Sequence, residues 1–307
     1  MMYLQKLGSR YLERLKARLM SSAPVNPESP FLKYPPGHYY SPLPDTEALE
    51  RLSKQVEYST SVTDIPGIEL NSKAQRDWLL CAVAEFGGLP IGEQGHEIKR
   101  YNGTNPFFEY ADAWSTYAMM RCYKPEHIIE VGSGFSSALM LDVNDGFLDG
   151  KTQFTFIEPY PERLIELLST DDRDICEIFV QPVQDVPIEK FMILREGDIL
   201  FIDSSHVSKV GSDVNFLFHD VIPLLAPGVI VHVHDVLWPF EYPLAWFREG
   251  RAWNEVYMLR SFLQFNDTFE ILLYNSYLKE CFPELFIGEM KGFIERPGGS
   301  FWMRKTR

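Results

Sequence analysis

The chain has only four cysteines, Cys81, Cys122, Cys176 and Cys281, and they form no Cys-x-x-Cys pair. That excludes a zinc knuckle and argues against a disulfide-stapled scaffold. Scattered thiols suit a reducing compartment, so a cytoplasmic protein is expected. Long apolar runs are also missing: none spans a bilayer, and none reads as the apolar region of a signal peptide. Positive charge is scarce, with 29 Lys and Arg against 43 Asp and Glu and a net charge of −14. A surface of one acidic sign repels a phosphate backbone, so no nucleic-acid partner is expected. Internal repeats and low-complexity segments are absent. Core material is plentiful: 45% of the 307 residues are hydrophobic and 14% aromatic, enough for one large domain or a domain with an appendage.

The first twenty residues break the acidic balance. Lys6, Arg10, Arg14, Lys16 and Arg18 stand against Glu13, and Leu4, Leu7, Tyr11, Leu15 and Leu19 share one helical face. The simpler reading is a helix docked on its own domain or on a second copy in a homodimer. The sharper one is weak contact with an anionic membrane surface. Prolines 24, 27, 30, 35, 36, 42 and 44 then predict an extended strap rather than regular structure. Helical patterns follow at 45–57, 72–86 and 109–122. We expect residues 1–105 to be a helical and proline-rich extension or cap, and residues 106–307 to be the main domain.

From residue 127 the chain alternates. Strands are predicted at 127–132, 153–158, 175–181, 198–203 and 229–234. Helices are predicted at 136–143, 161–169, 186–194, 212–225 and 244–263. Such alternation implies a parallel sheet covered on both faces. Phe269–Tyr277 and Ser300–Arg304 read as two last strands. The loop between them has no clear crossover helix, so they are expected to pair antiparallel at one edge. The fold class is thus α/β, a doubly wound Rossmann-like sheet with an antiparallel final pair and an N-terminal helical extension.

The richest stretch is His127-Ile-Ile-Glu-Val-Gly-Ser-Gly-Phe-Ser-Ser. An apolar strand runs into Gly132-x-Gly134, a tight turn that lets backbone approach a ligand, and a helix follows. Glu130 precedes the first glycine by two. A carboxylate there would repel a pyrophosphate but not a ligand with an amino group and a sulfonium, which points to S-adenosylmethionine rather than NAD. Glu158 ends the second predicted strand, where an acidic residue accepts hydrogen bonds from ribose hydroxyls. Gln184 and Asp185 follow the third strand, placed either to read an adenine amino group or, for Asp185, to cap a helix.

Asp203, Ser204 and His206 end the fourth strand, and His234 and Asp235 end the fifth. Ligands of open parallel sheets bind outside these carboxyl ends. A neutral histidine can accept a proton from a hydroxyl as it attacks a methyl group. Asp203 and Asp235 with an imidazole also form a partial donor set for magnesium or manganese. Trp238, Phe240, Tyr242, Trp246, Phe247, Trp253 and Tyr257 follow, where an acceptor would sit, although most such residues are core. Asp112, Tyr117, Asn254 and Glu255 are further pocket candidates.

The segments Ile129-Glu-Val-Gly-Ser-Gly-Phe-Ser-Ser, Ile157-Glu-Pro-Tyr-Pro-Glu-Arg-Leu, Phe201-Ile-Asp-Ser-Ser-His-Val-Ser-Lys and His234-Asp-Val resemble class I S-adenosylmethionine-dependent methyltransferases. They are most similar to a bacterial group acting on small molecules, over about residues 100–305. The resemblance implies a seven-stranded sheet. It also implies Glu130, Gly132 and Gly134 at the methionine end of the cofactor, Glu158 at the ribose, and Asp203 near the reacting centre. Ser133, Ser136, Gln184, Asp185 and Ser204 complete the expected cofactor site. The site is also similar to metal-dependent sugar O-methyltransferases, in which an Asp-x-x-His supplies a metal ligand and a base. Asp203 and His206 match that motif and Asp235 matches as well, but His234 stands where that family has a second acidic metal ligand.

The expected activity is methyl transfer to a hydroxyl of a small molecule or sugar, with His206 as general base and Asp203, His234 and Asp235 around it. Two alternatives stay open. One is an NAD-dependent oxidoreductase, although Ser137 stands where that fingerprint has its third glycine. The other is a non-catalytic module of the same fold.

Overall fold

Seven short runs of apolar residues build one sheet: β1 (His127–Val131), β2 (Gln153–Ile157), β3 (Cys176–Phe179), β4 (Ile199–Ile202), β5 (Ile230–Val233), β6 (Phe269–Tyr274) and β7 (Phe301–Lys305). Their order is β3-β2-β1-β4-β5-β7-β6. The first five are parallel, and β7 runs antiparallel to both β5 and β6, as the sequence pattern predicts. The computed structural model of the chain describes residues 33–307 except 60–61, 92–97, 170–171 and 173–174. The basic segment 1–20 and the start of the proline-rich stretch therefore lie outside the described residues.

The central strands read as unbroken apolar runs because both sheet faces are covered. Ile128, Ile129, Leu200, Phe201, Ile230 and Val231 are wholly buried, each such side chain contributing about 1.5–3 kcal/mol on burial. The helices are α1 (Thr46–Ser59), α2 (Ser72–Phe86), α3 (Tyr110–Tyr123), α4 (Phe135–Phe147), α5 (Glu162–Leu167), α6 (Asp213–Phe216), α7 (Leu244–Arg248), α8 (Glu255–Leu263), α9 (Asn275–Cys281) and α10 (Lys291–Glu295). The chain divides into two compact units. Among the described residues one comprises 33–58 and Leu244–Ala252; the other, which holds the entire sheet, lies within Ser59–Pro243 and Trp253–Arg307. In the first unit Arg251 lies 5.1 Å from the Trp246 ring and pairs with Glu249 at 2.9 Å.

Four expected elements differ. The 244–263 helix is two helices, because Gly250 turns to φ +89° after α7. The 186–194 helix is a 3-10 segment, Ile188–Ile193, begun by Pro187. The 212–225 helix continues beyond α6 as a π turn, Leu217–Val221, and then as a 3-10 turn containing Pro223. The strand expected to reach Tyr277 stops at Tyr274, and α9 follows at once. There the Asn275 amide side chain donates to the carbonyl of Ala111 (3.1 Å) and to Ser115 Oγ (3.2 Å) on α3, an anchor invisible to local periodicity.

One buried charge cluster fixes the segment leading into α3. The Arg100 guanidinium donates to Asp142 (2.8 Å), Asp145 (2.8 Å) and Asp172 (2.5 Å). The amides of Arg100 and Tyr101 donate to the other oxygen of Asp142. Asn105 Oδ1 then accepts from the amides of Phe107 and Phe108. Residues 98–108 are thereby held to α4, the helix that starts at the glycine turn. The side chains of Asp142 and Asp172 are 0% and 2% exposed. Arg100→Ala leaves both carboxylates without their cation and is expected to cost roughly 3–5 kcal/mol. Urea unfolding measures it; a loss below about 1 kcal/mol would show that the cluster does not hold this segment.

Candidate functional site

A cleft of about 380 Å³ lies outside the carboxyl ends of β1, β2 and β4. It sits where the chain order reverses between β1 and β4, the usual ligand crevice of an open parallel sheet, and is large enough for a small-molecule cofactor. Of the residues expected from the sequence, Gly132, Glu158, Gln184, Asp203 and Ser204 line it. Tyr160, Pro182, Val183 and Lys209 also line it and were not foreseen. The two apolar ones give the side near Gln184 a surface suited to a flat ring.

Gly132 is required by geometry. Its φ is +83°, and a Cβ there would stand 1.8 Å from the carbonyl oxygen of Asp203. The turn after β1 thus rests directly on the end of β4. Glu158 accepts from the amides of Ser133 (3.2 Å) and Tyr160 (2.7 Å), which aims the carboxylate along the cleft. Burial raises its pKa, with those two amides opposing. Gln184 donates to the carbonyl of Gly211 at 2.6 Å, joining the cleft's far wall.

The remaining expected cofactor residues are placed differently. Asp185 is exposed in a 3-10 turn, Val183–Asp185, and is not part of the cleft lining. Ser133, Gly134 and Ser136 belong to the turn and the start of α4, behind the lining. Ser133 Oγ is buried, and its hydroxyl favours the ionised form of the Glu130 carboxyl. Glu130 is wholly buried and accepts from Ser136 Oγ at 2.5 Å and from Ser137 Oγ. Ser137 Oγ in turn accepts from the Gly134 amide at 2.9 Å. Burial pushes the Glu130 carboxyl up to about 8, against the pull of the two serines. Glu130 is not part of the cleft lining, and through Ser136 and Ser137 it braces the glycine turn from beneath.

The second part of the site is built on His206. Its Nδ1 is 2.9 Å from Glu255 Oε2, and its Nε2 lies 3.4 Å from Asp203 Oδ1 and 3.5 Å from Asp235 Oδ2. Burial alone would lower its pKa, but Asp203, Glu255 and Asp235 raise it well above the ordinary histidine value. The Trp253 ring lies against it at 4.3 Å. His206 itself is in the left-handed region, φ +59°, as is Asp235 at +55°, and a residue held there signals a constrained site. Partial burial would raise Asp203, yet His234, His206 and Arg163 hold it below the usual carboxylate range.

His234 is buried beside Asp235, with Nε2 at 3.8 Å from Oδ1. Burial lowers its pKa, and Asp235, Asp112 and Asp203 more than offset that. Phe240 and Tyr242 are core residues, 1% and 2% exposed. Asn254 holds Ser208 through both ends of its side-chain amide.

Asp203 and Asp235 do come together, but the His206 imidazole sits between them. Among the described residues no three His, Cys, Asp or Glu side chains form a group that could hold a metal ion. The donors as arranged do not fit magnesium or manganese. The chemistry of the cleft is compatible with S-adenosylmethionine: it offers the Glu158 carboxylate, apolar walls and the glycine turn at Gly132.

A family model described as a methyltransferase domain matches residues 129–236. An uncharacterized protein of Archaeoglobus fulgidus is 34% identical over 169 residues, 54% of this chain and 76% of that protein. Among solved structures, the S-adenosylhomocysteine-bound methyltransferase PaMTH1 of Podospora anserina aligns over 86% of this chain and 98% of its own, at 14% identity and a TM-score of 0.44. The O-methyltransferase TomG of Streptomyces achromogenes, in complex with S-adenosylmethionine, aligns over 84% and 99%, at 17% identity and a TM-score of 0.40. At those values the chain's own strand order carries the fold.

Glu130 gives a pH test. A carboxyl whose folded pKa is raised stabilises the fold most below its unfolded value, near 4.5, and that stability is lost as pH rises through about 8. Glu130→Gln keeps the shape without the charge. Its melting temperature relative to the wild type is expected to climb steadily from pH 5 to pH 8.5. A difference that stays flat across that range would mean the carboxyl is ionised throughout.

Proposed function

We propose that the chain is a class I S-adenosylmethionine-dependent methyltransferase, the reading its methyltransferase-domain match and its sheet order support, and that it methylates a hydroxyl of a small molecule or sugar, with His206 as general base. The observation that carries this reading is the Glu255–His206 pair. Glu255 holds Nδ1, which turns Nε2 towards Asp203, the residue shared with the cleft.

The cofactor supplies an electrophilic methyl carbon. Everything else is positioning and proton handling by the chain. The acceptor oxygen forms its bond to the methyl carbon as the carbon–sulfur bond breaks and its electron pair stays on sulfur. The hydroxyl proton passes to His206 Nε2. Asp203, Asp235 and Glu255 then surround the resulting imidazolium, which lowers the cost of forming it. Trp253 packs on the imidazole and supports an acceptor placed against that face. No step runs through a metal.

The same carboxylates make His206 hold a proton at neutral pH. The base form grows only as pH rises through a value well above 6.5, so turnover should rise with pH over that range. With an acceptor found by screening hydroxylated compounds for S-adenosylhomocysteine release, His206→Ala is expected to lower kcat by roughly 10²–10⁴. S-adenosylhomocysteine affinity should change by no more than about twofold, the scatter expected without a direct contact. Equal losses in binding and turnover, or a pH profile of unchanged shape in the variant, would remove His206 from this role.

A further inference from the structure

Arg163, five residues past Glu158, lies at the rim of the glycine turn. Its stem crosses Gly134 so closely that a Cβ there would stand 3.1 Å from Cδ and 3.8 Å from Nη1. Its guanidinium carbon is 4.5 Å from the centre of the Phe107 ring and 5.5 Å from that of Phe135. The two rings are parallel within 9° at 6.1 Å. Phe107 is held there by the Asn105 turn, and its segment by the Arg100 cluster. Among the described residues no carboxylate lies within ion-pair distance of Arg163. Glu158 and Asp203 nevertheless feel its charge.

A guanidinium resting on aromatic faces keeps its planar edge of N–H donors free, and that fork matches a carboxylate. A cation of this kind, left without an anionic partner in a chain of net charge −14, points to an anion that comes with a ligand. The cleft fixes where that anion would be. Glu158 marks the ribose, Pro182 and Val183 the base, and Asp203 the transferred methyl. The amino-acid end of the cofactor must then run from the ribose over Gly132 to Gly134. Lys209, the other cation by the cleft, stands near Gly211 and Gln184 at the nucleoside end.

We propose that Arg163, braced by Phe107 and Phe135, binds the α-carboxylate of the cofactor's methionyl group. The inference rests on the cofactor reading above and assigns the residue that recognises its amino-acid end. The same contact would select for cofactors and analogues that keep the carboxylate.

Calorimetry on the full chain tests it, with S-adenosylhomocysteine and 5′-methylthioadenosine as probes. The second keeps the nucleoside and sulfur but lacks the amino acid. Arg163→Gln is expected to weaken S-adenosylhomocysteine roughly 10- to 100-fold, the range of a lost charged hydrogen bond. Binding of 5′-methylthioadenosine should stay within about twofold, because the probe never touches the side chain. Arg163→Lys, which keeps the charge, should fall between wild type and Arg163→Gln. An equal loss for both probes would mark a structural role and overturn the proposal, as would an unchanged affinity for S-adenosylhomocysteine. If the wild type binds neither probe, the cofactor reading itself fails, and the assignment of Arg163 fails with it.

Discussion

Glu255 and His206 hold each other, and the reacting end of the site depends on that clasp. The Glu255 carboxylate takes His206 Nδ1 at 2.9 Å and Ser204 Oγ at 2.9 Å. In return the amides of Asn254 and Glu255, which open α8, donate to the His206 carbonyl at 3.0 and 3.1 Å. The ring is fixed from one side and the backbone from the other, which keeps His206 in its left-handed conformation. The clasp also lets two carboxylates share one nitrogen. Asp203 and Asp235, within about 7 Å of each other, would repel by roughly 2 kcal/mol at an effective dielectric of 20. The imidazolium between them turns that repulsion into two attractions, the part a metal ion would otherwise take.

A second layer makes the antiparallel strand pair part of the site. Asp112, buried at the start of α3, accepts from the amides of Gly299 (2.9 Å) and Ser300 (2.8 Å) just before β7. The Gly299 carbonyl accepts from Val236 at 2.8 Å, beside Asp235. This approach leaves no room for a side chain: a Cβ on Gly299 would lie 2.7 Å from the Cα of Asp235. Asp235 is thus set by strands far apart in sequence, and Asp112 contributes through the backbone amides of Gly299 and Ser300. Burial pushes its carboxyl up to about 6, with His234 and Ser300 opposing.

What the sequence made legible was local. The glycine turn, Glu158 at its strand end, Asp203 and His206 three apart, and the antiparallel last pair all follow from periodicities and spacings within a few residues. The burial of Glu130 was not legible. Its partners Ser136 and Ser137 read as the first turn of a helix, and nothing local shows that they point back under the strand. Arg163 and Lys209 lie within the segments that carry the family resemblance, but nothing in their local spacing marks them as lying by the cleft. The split of 244–263 and the helix at Asn275 were decided by Gly250 and by contacts to α3, where tertiary packing overrides pattern.

The protonation behaviour of the site joins its chemistry to the fold. Glu130, Asp112, His206 and His234 all hold protons more tightly in the folded chain than their ordinary values imply. Around neutral pH the folded state therefore binds more protons at these groups than the unfolded state. Their combined effect is a stability that declines as pH rises, from just above the ordinary carboxyl range at the acid end through the raised histidine values at the other. Proton acceptance by His206 runs the opposite way, because only the deprotonated imidazole can take the acceptor's proton. The carboxylates that make His206 a strong base thus set two opposed slopes. Raising pH frees the base and, through the same groups, loosens the structure that holds it.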